Sequence, residues 1–223
     1  MNLRHEWKHE IDVSDLIVLR QRLRAVMRTD PHAVQGRYGV RSLYFDNEAD
    51  KVLREKINGI NYREKFRIRY YNKDLSRIQL EKKSRLNGLG NKQSAVLTKA
   101  QVRAVLDGDW GWMTASSQSL IRELYAKMMS QGLRPRTIVD YMREPFVYDP
   151  GNVRVTLDYH IRSGLGCTDF LNTECVTIPA GDQAAILEVK WDAFLPELIR
   201  DLVQLKGRQT EAFSKYQVCR MYG

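Results

Sequence analysis

Residues 62–71, YREKFRIRYY, alternate between charge and apolar bulk: Arg63, Lys65, Arg67 and Arg69 hold the odd positions, and Tyr62, Phe66, Ile68 and Tyr70 hold even ones. Successive side chains of a β-strand point to opposite faces. The stretch therefore predicts a strand whose four cations share one face, spaced about 7 Å apart per two-residue step. Such a face is either the solvated outside of a sheet or a wall that holds a polyanion.

The same alternation recurs along the chain. Arg4, Glu6, Lys8 and Glu10 share a face over residues 3–11, and Arg77, Gln79, Glu81, Lys83 and Arg85 share one over 77–85. In 153–161, Arg154, Thr156, Asp158 and His160 lie opposite Val153, Val155, Leu157, Tyr159 and Ile161. Near the C-terminus Glu188, Lys190 and Asp192 lie opposite Leu187, Val189 and Trp191. VRSLYFD (40–46) and residues 92–97, which follow the loop NGLGN (87–91), read as two more strands. Two hairpins are predicted, 62–71 with 77–85 around Asn72–Asp74, and 137–149 with 152–162 around Asp149-Pro150-Gly151-Asn152. Helix signals fall between the strands. Ser14 caps a helix that places Leu16, Leu19, Leu23 and Val26 on one face and stops at Thr29-Asp30-Pro31. Further helices are predicted over 49–56, 99–107, 117–131 (ending at Gly132), 195–205 and 211–221. Antiparallel strands with helices attached outside make the fold α+β.

Two arrangements satisfy these faces. The apolar faces meet in a sandwich core and the charges are solvated, or the sheet curls with its apolar face outward and its charges lining the interior. The apolar stripes of the helices favour the second, because they too must be buried, and a closed barrel leaves no exposed edge. An interior rich in Arg and Lys needs counter-charges. Glu6, Glu81, Asp158 and Glu188 supply some, and a polyphosphate would supply the rest through paired hydrogen bonds to guanidinium groups. Carboxylates left over suit Mg²⁺ or Mn²⁺, which bridge carboxylate and phosphate oxygens.

The 223 residues carry a formal net charge of +9, which points to an anionic partner. Nucleic acid is disfavoured, because the basic residues alternate with apolar ones instead of clustering on one helix. No repeat or linker divides the chain, so one domain over 1–223 is expected. No run approaches the roughly 18 apolar residues of a membrane span, and MNLRHEWKHEI lacks the apolar core of a secretory signal. A separate membrane partner is left open. Cys167, Cys175 and Cys219 are an odd set with no CxxC spacing, which argues against a disulfide framework or a zinc site and for a reducing cytoplasm.

Eight segments in order resemble the VTC polyphosphate polymerase domain, within the CYTH-like triphosphate tunnel metalloenzymes: RHEWKHEI, VRSLYFDN, LREKINGINYREKFRIRYY, IQLEKKSR followed by Lys92, YMREPF, VRVTLDYHI, LEVK and FSKYQ. The resemblance spans nearly the whole chain. It implies a closed eight-stranded antiparallel β-barrel, a tunnel that holds ATP, triphosphate or inorganic polyphosphate with a divalent metal (Mn²⁺ or Mg²⁺). Carried over, it makes Arg67, Arg69, Lys83, Arg143, Arg154 and Lys190 catalytic, and Lys8, Lys92 and Lys215 phosphate-binding. Glu188 would hold the metal, with Glu6, Glu81 or Asp158 as helpers. Lys8 stands where other tunnel families carry a second glutamate, which favours the polymerase branch. The activity implied is transfer of the γ-phosphate of ATP to a growing polyphosphate chain. The alternatives are an inorganic triphosphatase in the same tunnel and a non-catalytic polyphosphate-binding module. Arg63 and Lys65 are expected nearer the rim, Lys82 on the outer face, His160 on the charged face, and Trp110 and Trp112 in packing.

Overall fold

The structure is a computed structural model and describes residues 4–86, 89–181, 185–205 and 213–221. In chain order its elements are β1 (His5–Ile11), α1 (Val13–Val26), β2 (Arg28–Thr29), β3 (Tyr38–Asp46), α2 (Lys51–Ile57), β4 (Arg63–Tyr71), β5 (Asp74–Leu86), β6 (Leu89–Leu97), α3 (Lys99–Leu106), α4 (Ser119–Gln131), β7 (Arg134–Tyr148), β8 (Val153–Ser163), β9 (Ile178–Pro179), β10 (Ala185–Trp191), α5 (Glu197–Val203) and α6 (Lys215–Met221). Helix ends follow local chemistry. The cap of α1 is Asp12, two residues before the expected Ser14: its carboxylate accepts from the Asp15 backbone N–H at 2.8 Å, and Ser14 donates to it at 2.6 Å. Gly132, at φ 70°, ends α4 in the left-handed conformation that glycine adopts freely. The last two helices are shorter than predicted, and residues 206–212 lie outside the described part. β6 begins at Leu89, inside the segment predicted as loop, of which 87–88 are outside the described residues.

Eight strands form one antiparallel sheet in the order β1-β10-β8-β7-β3-β4-β5-β6, with β2 attached to β7 and β9 to β8. The sheet curls, but among the described residues its ladder stays open. Edge strands β1 and β6 meet only in an isolated bridge between Arg4 and Gly90. The closed barrel expected from the sequence is therefore seen as a half-barrel.

The apolar faces lie outside, beneath helices. Phe66, Ile68 and Tyr70 of β4 pack with Ile78 and Leu80 of β5, Val102 and Val105 of α3, and Ile121, Leu124 and Met128 of α4. Val153, Val155 and Leu157 of β8 and Leu187 and Val189 of β10 pack against Leu16, Leu19 and Leu23 of α1 and Ile199 and Val203 of α5. The sandwich alternative is thereby excluded, and the charged faces turn into the concave side. Lys82 points outward as predicted, pairing with Glu64 at 3.2 Å and with Glu123 of α4. Among the described residues no helix is long and apolar enough to cross a membrane.

One predicted face is broken. His160 has φ 52°, the β7–β8 register shifts between Asp140 and Met142, and the imidazole is exposed. This bulge turns His160 away and rotates Ile161 inward, to pack with Tyr141, Ile186 and Tyr216. That third apolar cluster plugs part of the concave side with α6. The plug is pinned by Asp46: its carboxylate accepts from the Tyr216 hydroxyl at 2.7 Å and from the Val52 and Leu53 backbone N–H groups at the start of α2 at 2.9 and 3.2 Å. Placing one charge on either side of the sheet tests the layering. Leu80→Glu, beneath α3 and α4, should cost about 4 kcal/mol or more in urea unfolding, whereas Gln79→Glu, on the opposite face beside Arg69, should stay within about 1 kcal/mol of the parent.

Candidate active site

The odd face of β4 is one wall of a cleft on the concave side of the sheet. Lys65, Arg67 and Arg69 of β4 face Lys83 of β5, Lys8 of β1, Arg143 of β7 and Lys215 at the start of α6. Glu188 of β10 is the one carboxylate among these lining residues, with Tyr44, Tyr141, Ile186, Phe213 and Ser214 completing the wall. Seven cations against one carboxylate make the cleft a trap for a multiply charged anion.

The cations are braced from beneath by buried carboxylates. Arg67 donates to Glu81 from Nε at 2.7 Å, with its Nη2 2.6 Å from the same oxygen, and Nη1 donates to the Tyr44 hydroxyl at 2.8 Å. Arg69 donates to Ser42 Oγ at 2.9 Å and to the Tyr141 hydroxyl at 3.1 Å, 3.6 Å from Glu81. Lys92 reaches the other Glu81 oxygen at 2.5 Å. Arg143 grips Asp158 with two hydrogen bonds of 2.6 and 2.7 Å and Glu188 with one of 3.3 Å, and Lys215 pairs with Asp158 at 2.6 Å. Lys8 and Lys190 each contact both Glu6 and Glu188, at 3.2–3.3 Å. Arg154 stands apart from the lining, paired with Asp30 at 2.8 Å and donating to Tyr38 at 3.1 Å. Carboxylates that hold guanidinium groups at fixed angles leave the remaining N–H donors aimed at a ligand.

Lys65 and Lys83 are a different case. They sit opposite each other across β4 and β5, and neither forms an ion pair with a described carboxylate. Like charges directly opposite destabilise a sheet, so this pair is relieved either by an anion in the cleft or by loss of a proton. Burial pushes the Lys65 ammonium down to about 8 and Lys83 well below the usual lysine range, with Lys190 and Arg67 adding to the latter. Burial raises the Tyr44 phenol, but Arg67, Lys65 and Arg69 outweigh it and bring it down to about 7. Burial likewise opposes ionisation of Asp158, yet Arg143 and Lys215 hold it at about 2. Glu81 is held well below the carboxylate range against its burial by Arg67, Arg69 and Lys92, and Glu188 by Lys190 and Lys8.

Among the described residues no three His, Cys, Asp or Glu side chains converge as a metal cluster. Glu81 and Asp158 are committed to guanidinium and ammonium groups beneath the wall, and Glu6 is engaged by Lys8 and Lys190. Glu188 alone reaches the lining. One carboxylate fits a hard divalent ion that takes its other ligands from phosphate and water. It does not make a cage assembled by the protein alone.

The structure thus brings together Lys8, Arg67, Arg69, Lys83, Arg143, Glu188 and Lys215, ties Lys190, Glu6, Glu81 and Asp158 to them by ion pairs and Lys92 to Glu81, and leaves Arg154 aside. Arg63 donates to the Ile60 carbonyl at 2.8 Å and stays out of the lining, as a rim residue would. Lys65, expected with it at the rim, lines the cleft instead. Trp110 packs as predicted, with Arg134 4.2 Å above its ring. Sequence reasoning missed Ser42, Tyr44 and Tyr141. The first two share the even face of VRSLYFD, so the alternation used for the other strands would have found them; their weak polarity hid the pattern.

A family model described as the VTC domain matches residues 3–222. No curated relative matches the sequence. Among solved structures, a protein provisionally named an adenylate cyclase from Bacillus halodurans is 15% identical, with 85% of this chain and 82% of that chain covered and a TM-score of 0.51. The PH1012 protein of Pyrococcus horikoshii is 12% identical, with 96% and 98% covered and a TM-score of 0.53. At such identities the likeness is one of fold.

The braces carry testable consequences. Glu81→Gln leaves Arg67 and Arg69 without their buried counter-charge and should lower unfolding stability by about 3–5 kcal/mol, with tripolyphosphate restoring part of the loss in a thermal melt. Asp158 ionises more easily folded than unfolded, so its contribution is complete above its ordinary value of 3.8 and disappears as pH falls towards about 2. Urea midpoints measured from pH 5 down to pH 2 should drop through that window, and less so in Asp158→Asn.

Proposed function

The chain belongs to the VTC domain family, and on that premise we propose that it is a polyphosphate polymerase, a phosphotransferase that passes the γ-phosphate of ATP to a growing inorganic polyphosphate chain. The observation that carries the reading is the convergence of seven cations and one carboxylate on a single cleft. In this reading residues 1–223 form one tunnel domain, whose curled sheet closes around its polyanion where β1 and β6 approach each other.

Phosphoryl transfer asks little covalent chemistry of a protein. It asks for in-line positioning and for neutralisation of charge on the phosphoryl oxygens. A terminal phosphate oxygen of the acceptor chain attacks the γ-phosphorus, the bond from that phosphorus to the β–γ bridging oxygen breaks, and ADP leaves with the electron pair. The acceptor is already an anion, so no side-chain nucleophile is needed. Arg67 and Arg69, braced by Glu81, and Arg143, braced by Asp158, present fixed forks to the transferred group. Lys8, Lys65, Lys83 and Lys215 neutralise the flanking phosphates, with Lys92 and Lys190 setting the field behind them. Arg154 orders the neighbouring wall through Asp30 and Tyr38. A divalent ion, Mn²⁺ or Mg²⁺, would be held by Glu188 together with substrate oxygens and would neutralise further phosphoryl charge when bound. A supply of ATP places the reaction in the cytoplasm.

Incubation with ATP and Mn²⁺, with products resolved by gel, tests the proposal: a ladder of polyphosphate and release of ADP is the expected outcome. Orthophosphate released from tripolyphosphate, with no ladder, would replace it with a triphosphatase. Tight binding of polyphosphate with neither product would leave a binding module. Arg69→Ala should lower kcat on the order of 10²–10³-fold. Tripolyphosphate affinity measured by calorimetry should fall as pH rises through about 7 to 8. Over that range Tyr44 gains negative charge and Lys65 loses positive charge, so both changes weaken an anion site.

A further inference from the structure

Away from the cleft, the segment between β8 and β9 carries two of the three cysteines. Their spacing has no motif, yet Cys167 Sγ and Cys175 Sγ lie 3.0 Å apart, about 1 Å longer than a disulfide bond. Both are partly exposed, whereas Cys219 is buried. Each thiol is carried on a tight turn: the Cys167 N–H donates to the Gly164 carbonyl at 2.8 Å, and the Cys175 N–H to the Asn172 carbonyl at 3.1 Å. The segment between them is anchored at its centre, where Phe170 and Leu171 are buried in the outer core and the Phe170 ring sits 4.8 Å from Tyr70. It is also tied to the sheet by Arg41, which donates to the Asn172 and Cys175 carbonyls at 2.7 and 3.2 Å while gripping Asp140 at 2.9 and 2.7 Å. The two sulfurs are thus held side by side by a packed scaffold, and joining them needs little backbone movement.

We propose that Cys167 and Cys175 form a reversible dithiol–disulfide site that is oxidised by low-molecular-weight disulfides such as oxidised glutathione. The Cys167 sulfur attacks the glutathione disulfide, forming a mixed disulfide and releasing one glutathione thiolate. The Cys175 sulfur then attacks the Cys167 sulfur, which displaces the second glutathione. The protein loses two electrons and two protons, and one disulfide molecule becomes two thiols. Burial and the hydrogen bond to Cys167 push the Cys175 thiol up to about 11, so it keeps its proton and leaves the first attack to Cys167. Closing the ring fixes the two carbonyls that hold Arg41, so oxidation stiffens the β3–β7 region of the sheet.

The reduced chain is exposed to oxidised glutathione under native conditions, alkylated in denaturant and mapped by mass spectrometry. Free thiols should fall from three to one, with the bond mapping to Cys167 and Cys175 and with Cys219 alkylated. The melting temperature should rise by about 3–8 °C, and dithiothreitol should reverse both changes. Cys175→Ser should stop at glutathione bound to Cys167. Three thiols persisting in the native chain, bonds formed between chains, or closure no faster than in the urea-unfolded chain would each overturn the proposal. All of these readouts are independent of phosphoryl-transfer activity.

Discussion

Arginine and lysine can crowd the inside of a curled sheet only if something beneath them absorbs the repulsion. Three buried carboxylates do so here. Glu81 lies under Arg67 and Arg69, Asp158 under Arg143 and Lys215, and Glu188 between Lys8 and Lys190. Each has a partner on the adjacent strand, so the pairing of the sheet and the pairing of its charges are linked. A charge left alone at such depth would be strongly destabilising. The lattice does not cancel fully: Lys65 and Lys83 face each other without a described carboxylate partner, and that residual positive charge gives the cleft its appetite for an anion.

The helices are as much a part of this as the strands. By covering the convex side, α1, α3, α4 and α5 give the apolar faces somewhere to go other than each other, which turns the charges inward. The sixth helix works from the other side. Asp46, shared between the start of α2 and the Tyr216 hydroxyl, seats α6 on the tyrosine-rich half of the concavity and delivers Lys215 to Asp158. The Asp46 carboxylate is thus far from the cationic cleft in role, yet it sets the position of one of its cations.

Much of this was legible in the sequence because a strand's two-residue period is local. Arg67 against Ile68, Glu81 against Leu80 and Glu188 against Leu187 could be sorted by parity alone, and the structure sorts them the same way. Parity failed at His160, where a bulge set by the register against β7 exchanges the faces of His160 and Ile161. It also could not rank positions along a face. By sequence Lys65 reads as a rim residue, because its depth depends on how Lys8 and Tyr44 arrive from distant strands.

The sequence by itself determined which side chains share a face, that each strand has one apolar and one charged face, and where most helices start and stop, because these depend on neighbours a few residues away. Only the tertiary structure decided that the charged faces turn inward, that among the described residues the sheet is an open half-barrel, that Glu81 and Asp158 serve as braces, and that Cys167 and Cys175 meet. Those outcomes are set by contacts between segments far apart along the chain or by turns that periodicity does not encode. The direction a sheet curls is fixed by which of its faces the helices bury.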